Sequence, residues 1–234
     1  YKLGIELFRY AEAKGFDLFR LRRVHNDVSF IDEVVDEEFA SRNQLFVYRT
    51  GPYAANGIPF SDGYQDYFTL LNERDGGIGG VKVRVEECET GYNAQKGVEC
   101  YESTKGKGAL VSLPNSTGIT LQLMQKAPID EIPLLTPGYG LSAGAAGDKF
   151  PWAFNFPATY WGQMSAILSF IGKQEGGDLN ALKGKKVGFI YLDVGYGREP
   201  IPLMDSFAKK YGFSTLKVPV GVKEMQNQSS HWLT

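Results

Sequence analysis

The sequence predicts an α/β protein built on open, mainly parallel sheets, and three features of the chain lead there. Short extended stretches alternate with amphipathic helical stretches from residue 46 onward. Lys186–Leu192 holds the unbroken run Val187, Gly188, Phe189, Ile190, Tyr191, as expected of a parallel strand buried on both faces. The 28 glycines exceed the ordinary share of about 7% and show no collagen-like period, so they mark tight turns between elements.

The elements follow in order. Phe46–Arg49 reads as a short strand that runs into the turn Thr50-Gly51-Pro52. Phe60, Tyr64, Tyr67, Phe68 and Leu71 recur at helical spacing, and the glycine run Gly76–Gly80 stops that helix. Residues 81–86 alternate strictly and predict a strand. Ala94, Val98 and Tyr101 mark the next helix, Ala109–Leu113 a third strand, and Ser116 to about Lys126 a third helix. Ile132–Leu135 is a fourth strand, ended by Thr136-Pro137-Gly138. Pro151–Phe154 is a short extended piece and Ala158–Ile171 a long helix. After the Lys186–Leu192 strand come a helix near Pro200–Lys210 and a strand near Ser214–Val218.

Composition narrows the function. The 25 basic and 27 acidic residues give a net charge of −2, without the basic excess of a nucleic-acid or anionic-membrane surface. Two His and two Cys, with no Cys-x-x-Cys pair, do not make a zinc ribbon, and no metal or cofactor is expected. The uncharged run from Pro151 to Gly172 contains Asn155, Pro157 and Gln163, and its helical part is too short to span a bilayer. A soluble chain is expected. It opens on Tyr1 without a signal-peptide pattern and reads as a fragment or a processed product.

In open parallel sheets ligands bind beyond the carboxyl ends of the strands. Four loops qualify: residues 50–57, 88–92, 114–117 and 136–140. They offer hydroxyls, tyrosine rings and backbone N–H groups, and almost no titratable pair for catalysis. Asn115, Ser116 and Thr117 lead into a helix N-terminus, where amides, dipole and hydroxyls suit a carboxylate. Ser116 at that place is equally an ordinary N-cap. No Gly-x-Ser-x-Gly elbow is present, and a Ser-His-Asp triad would have to use His231. The run Gly76-Gly77-Ile78-Gly79-Gly80 follows a helix and precedes a strand, the reverse of a dinucleotide loop, so it reads as a helix stop. Cys88 and Cys100 are placed so that a disulfide is sterically open but not required.

Residues 46–234 resemble periplasmic solute-binding proteins of the leucine/isoleucine/valine type, which serve ABC importers. The motifs are Thr50-Gly51-Pro52-Tyr53 with Asn56-Gly57, then Asn72-Glu73-Arg74-Asp75-Gly76-Gly77-Ile78. Glu87-Cys88-Glu89-Thr90, Thr136-Pro137-Gly138 and Asp193-Val194-Gly195-Tyr196-Gly197 follow. The resemblance implies a non-catalytic, extracytoplasmic protein whose two lobes close on an amino acid or a related small organic acid, with an ABC permease as partner. Lobe one would be residues 46–155 and a partial lobe two residues 156–234. The ligand set it implies is Tyr53, Asn115, Ser116, Thr117, Gly138, Tyr139, Gly140, Tyr160 and Tyr196. Amino-acid binders commonly carry small and hydroxyl residues after the Pro-Gly turn. Tyr139-Gly140-Leu141 departs from that and leaves room for an aromatic or other organic acid.

Residues 1–45 differ in character, with seven basic and nine acidic side chains and two glycines, Gly4 and Gly15. Within them, residues 22–33 (Arg22-Arg23-Val24-His25-Asn26-Asp27 through Glu33) resemble a segment of the SpoVR (stage V sporulation protein R) family. A mainly helical extension, joined near Leu45–Tyr48, is the expectation. His25 beside Asp27, Asp32 and Glu33 is expected to be structural rather than a metal ligand, and Arg20, Arg22 and Arg23 part of a solvated face. Rival readings of the whole are a ligand-sensing regulatory domain on the same fold and an α/β hydrolase-like enzyme.

Overall fold

The computed structural model describes residues 41–136, 142–156 and 158–233. The 1–40 segment, with its SpoVR-like motif, and Gly138, Tyr139 and Gly140 lie outside the described residues.

Seven strands form two parallel sheets. The first has the order β2-β1-β3-β4-β5, from β1 (Ser41–Val47), β2 (Val83–Glu89), β3 (Ala109–Pro114), β4 (Leu134–Thr136) and β5 (Ala153–Asn155). The second pairs β6 (Lys186–Leu192) with β7 (Ser214–Val220). The helices between strands are α1 (Ala54–Asp75), α2 (Ala94–Lys105), α3 (Thr117–Leu123), α4 (Ala127–Asp130), α5 (Tyr160–Gln174), α6 (Gly195–Arg198) and α7 (Ile201–Tyr211). This is the fold class expected from the alternation of elements.

β1 lies inside the sheet between β2 and β3, and its alternation supplies both faces of the core. Phe46 packs with Tyr101, Ile119, Leu123 and Leu134 on the side of α2 and α3. Leu45 and Val47 point the other way, to Leu113 and to Tyr64 and Phe68 of α1. All three β1 side chains are fully buried. β6 packs Val187 and Phe189 on a separate cluster of Met164, Leu168, Leu182, Met204 and Phe213.

The main departure from expectation is the start of β1, which lies at Ser41 rather than Phe46. The proposed join near residue 45 therefore falls within β1, an interior strand of the first sheet. Polar residues hide it: Asn43 and Gln44 are buried, and Gln44 is accommodated by donating to Thr104 Oγ1 (2.7 Å) and the Tyr101 carbonyl (3.2 Å), while Ser112 donates to its Oε1. A second departure is the third helix, which ends at Leu123 and resumes as α4 with Pro128 in its first turn. A third is α1, which starts at Ala54, well before Phe60, and carries Pro59 inside it.

Several motif residues have plain structural work. Asn72 accepts from the Val83 N–H (2.7 Å) and donates to the Val83 carbonyl (2.8 Å), tying the end of α1 to the start of β2. A Cβ at Gly57 would lie 2.0 Å from the Tyr48 carbonyl oxygen, so only glycine lets α1 approach the end of β1 this closely. Cys88 and Cys100 form a disulfide joining β2 to α2.

Candidate functional site

The parallel direction of β1, β2 and β3 brings their carboxyl ends to one edge, and the loops beyond them meet the loops after β6 and β7. A cleft of about 270 Å³ lies there. Pro52 and Tyr53 come from the loop after β1, Gly91 and Tyr92 from the loop after β2, and Ser116, Thr117 and Gly118 from the loop after β3. Val194, Gly195 and Tyr196 after β6, and Val222 after β7, close the opposite side. The starts of α3 and α6 meet here: a Cβ at Gly195 would sit 3.7 Å from Thr117 Cγ2. Ser142 makes a second bridge: its N–H donates to Glu199 Oε1 (3.0 Å), and its Oγ accepts from the Trp161 backbone N–H (3.1 Å).

Tyrosines dominate the cleft. The Tyr53 and Tyr92 ring centroids are 4.3 Å apart at a 44° tilt. Tyr48 stands edge-on behind both, at 6.4 Å from Tyr53 and 5.1 Å from Tyr92. Tyr196 on the far side has Tyr160 behind it, at 6.1 Å. Tyr92 takes φ +63°, a left-handed backbone that is uncommon for a side chain of this size, directly after Gly91 at φ +57°. Such a conformation is sustained by its surroundings.

Those surroundings are built around Glu89. Its carboxylate accepts from the Arg49 N–H (2.8 Å), the Thr50 hydroxyl (2.9 Å) and the Gly91 N–H (2.6 Å), so one side chain fastens the β1 loop to the β2 loop. The Arg49 guanidinium is in turn held by Glu87 (2.5 and 3.0 Å) and by Asp62 of α1 (2.6 Å). Thr90 adds a bond from its hydroxyl to the Val47 carbonyl (2.7 Å), and its Oγ1 accepts from the Tyr92 N–H (3.2 Å). The motif Glu87-Cys88-Glu89-Thr90 thus acts as loop scaffold.

Among the described residues, no charged side chain lines the cleft. Burial, with a smaller contribution from the nearby Tyr196, pushes the Tyr53 phenol up to about 12. Burial likewise raises Tyr92, opposed by a hydrogen bond with the Ser116 side chain, and raises Tyr196. Two polar atoms in the lining are buried without a hydrogen-bond partner, Thr117 Oγ1 and Tyr53 Oη. Buried hydroxyls are normally paired; these two are unpaired and shut off from solvent, a deficit that a small rearrangement toward a guest would relieve.

Of the residues expected from the sequence, Tyr53, Ser116, Thr117 and Tyr196 converge on the cleft. Tyr160 is not among the lining residues, although its phenol is close enough to raise that of Tyr92. Asn115 is placed outside the lining, at the buried end of β3, with both side-chain polar atoms unpartnered. Sequence reasoning passed over Tyr92, although it marked the loop that carries it. Its importance lies in a left-handed backbone and in rings brought together from different loops, which one-dimensional spacing does not display. Among the described residues no group of His, Cys, Asp and Glu is arranged to hold a metal ion. His231 lies against Ser230 (3.3 Å) and Glu224 (3.6 Å). No described helix is long and apolar enough to cross a membrane.

Comparison with known proteins places this architecture. A family model described as "Periplasmic binding protein" matches residues 45–233. A crystal structure described as an ABC transporter permease from the Pseudomonas fluorescens group shares 38% identity at a TM-score of 0.72, over 83% of this chain and 48% of that one. A fatty acid ABC transporter substrate-binding protein from Thermomonospora curvata shares 19% at a TM-score of 0.70, over 83% and 48%. A solute-binding protein of an ABC transporter from Rhodopseudomonas palustris BisB5, in complex with 3,4-dihydroxybenzoic acid, shares 16% at a TM-score of 0.61, over 79% and 47%. The chain therefore spans about half the length of the structures it matches. No curated protein matches it.

Proposed function

The chain belongs to the periplasmic binding protein family, and on that premise we propose that it binds a small organic acid for an ABC-type importer. The family comprises substrate-binding proteins rather than enzymes. In this reading residues 46–155 and 156–234 contribute the two walls, and the solute lies between Tyr53, Tyr92, Ser116 and Thr117 on one side and Tyr196 on the other. The observation that carries it is the pair of buried, unpartnered hydroxyls, Thr117 Oγ1 and Tyr53 Oη, inside a cleft beyond the strand ends. Orphaned donors in a buried site favour an acceptor-rich guest such as a carboxylate.

The size of the cleft supports a small guest. At about 270 Å³ it lies just below the range of roughly 300–1,000 Å³ usual for ligand pockets. A branched-chain amino acid and related small acids fall within that limit. The disulfide Cys88–Cys100 favours an oxidising, extracytoplasmic compartment, where an importer's permease would be the partner. Calorimetric titration with leucine, 4-hydroxybenzoate, 3-phenylpropionate and octanoate tests the reading. Saturable binding of one of these carboxylates is the expected result, and no binding of any of them would overturn it.

A further inference from the structure

We infer that the solute is a planar aromatic carboxylic acid that carries no ammonium group; this rests on the solute-binding reading above and narrows it. The walls come first. Tyr53 and Tyr92 are held by each other at 4.3 Å and by Tyr48 edge-on behind them. Tyr196 faces them from the other sheet with Tyr160 as backing. Rings supported by rings have little freedom to rearrange around a bulky aliphatic group, and they offer flat faces and edges to another ring. The left-handed backbone at Tyr92 is maintained by the Glu89 and Thr90 hydrogen bonds, which place its ring in the cleft.

Polarity then separates acids from amino acids. Among the described residues, no Asp or Glu lines the cleft. An ammonium entering it would shed water without gaining a carboxylate, a large cost for an unpaired buried charge. A hydroxyl serves an ammonium as a neutral acceptor alone. A carboxylate, by contrast, receives charge-assisted bonds from the Thr117 and Tyr53 hydroxyls, both of which lack other partners. Cation–π attraction is the competing effect. Choline, a cation without a carboxylate, measures that attraction directly among the probes below.

Two matched pairs of probes, titrated calorimetrically into the full 234-residue chain, test this. 3-Phenylpropionate and phenylalanine differ by the ammonium group; benzoate and cyclohexanecarboxylate differ in the flatness of the ring. The expected result is at least a tenfold preference for the first member of each pair, with choline and leucine binding weakly. Tyr92→Leu, its folding verified by thermal melting, should remove the preference for benzoate while retaining cyclohexanecarboxylate. Equal or tighter binding of phenylalanine, leucine or choline would overturn the inference and leave solute binding standing. Binding of no probe would overturn both.

Discussion

Tyr92 and Ser116 line the same cleft from the loops after β2 and β3, and Ser116 lowers the Tyr92 phenol against the larger effect of burial. Ser116 lies just ahead of α3, where sequence reasoning pairs it with Thr117 as equivalent donors to a carboxylate. The structure separates them. The Ser116 side chain acts on the Tyr92 phenol, whereas Thr117 Oγ1 is buried with no partner.

Thr117→Val should therefore weaken binding of an acidic solute by about 1.5–3 kcal/mol, the usual value of a charge-assisted hydrogen bond. Ser116→Ala should act through the placement of Tyr92 and reduce affinity less. Parallel calorimetric titrations of the two variants with 4-hydroxybenzoate measure the difference. A larger loss at Ser116 than at Thr117 would contradict the assignment of the free hydroxyl.

Glu89 offers a test that needs no ligand. Because it accepts from Arg49, Thr50 and Gly91, Glu89→Gln puts an amide donor among three donors. Hydrogen exchange followed by mass spectrometry should show faster exchange in both residues 49–54 and residues 90–93, with β3 and β6 unchanged. If acceleration is confined to residues 90–93, Glu89 caps its own loop and does not clamp the two together.

Much of this architecture is legible in one dimension because its signals are local. The alternating elements and the motif glycines mark strands, turns and the edge where loops gather. Gly57 and Gly197 illustrate why: a Cβ at either would lie 2.0 Å from a backbone oxygen, of Tyr48 and of Leu192 respectively, so the residue type records the close approach. What stays hidden depends on pairing at a distance. The polar start of β1 looks like a continuation of residues 1–40 because nothing local shows that Gln44 meets Thr104 and Ser112. The role of Tyr92 depends on Glu89, Tyr48 and Ser116, which are fixed by the fold and not by any spacing. The disulfide is open in the sequence for the same reason: its two partners must first be brought together by β2 and α2.

That disulfide joins cysteines separated by 12 positions. Closing a loop of this size removes unfolded-state freedom worth about 3 kcal/mol in the chain-entropy account. Reduction, or Cys88→Ala with Cys100→Ala, should lower stability by about 2–4 kcal/mol, at roughly 2–4 °C of Tm per kcal/mol for a chain of this size. Thermal melts with and without reductant measure it. An unchanged Tm on verified reduction would show that β2 and α2 are held by packing alone.

The final prediction concerns pH. Tyr53 is raised from 10.0 to about 12, mainly by burial and then by Tyr196. Burial also raises Tyr92 and Tyr196, and it raises Tyr101, where the hydrogen bond to Asp130 and that carboxylate's charge act in the same direction. In each case the folded protein favours the neutral phenol. Below pH 10 the contribution of Tyr53 to stability is fully present; from 10 to about 12 the unfolded chain loses its proton first and stability falls. At the acid end the sign reverses. The Arg49 hydrogen bond, against the opposing effect of burial, holds Glu87 below its ordinary 4.5, so its contribution is present above that value and is lost as pH falls through the lower, folded one. Denaturation midpoints should accordingly be flat with respect to these groups from about pH 6 to 9, as should solute affinity. Absorbance at 295 nm should show a set of tyrosines ionising well after the exposed ones, merging with them in denaturant. Simultaneous ionisation of all tyrosines near pH 10 in the folded protein would mean that the cleft phenols are hydrated, and the neutral aromatic site argued from them would fall with it.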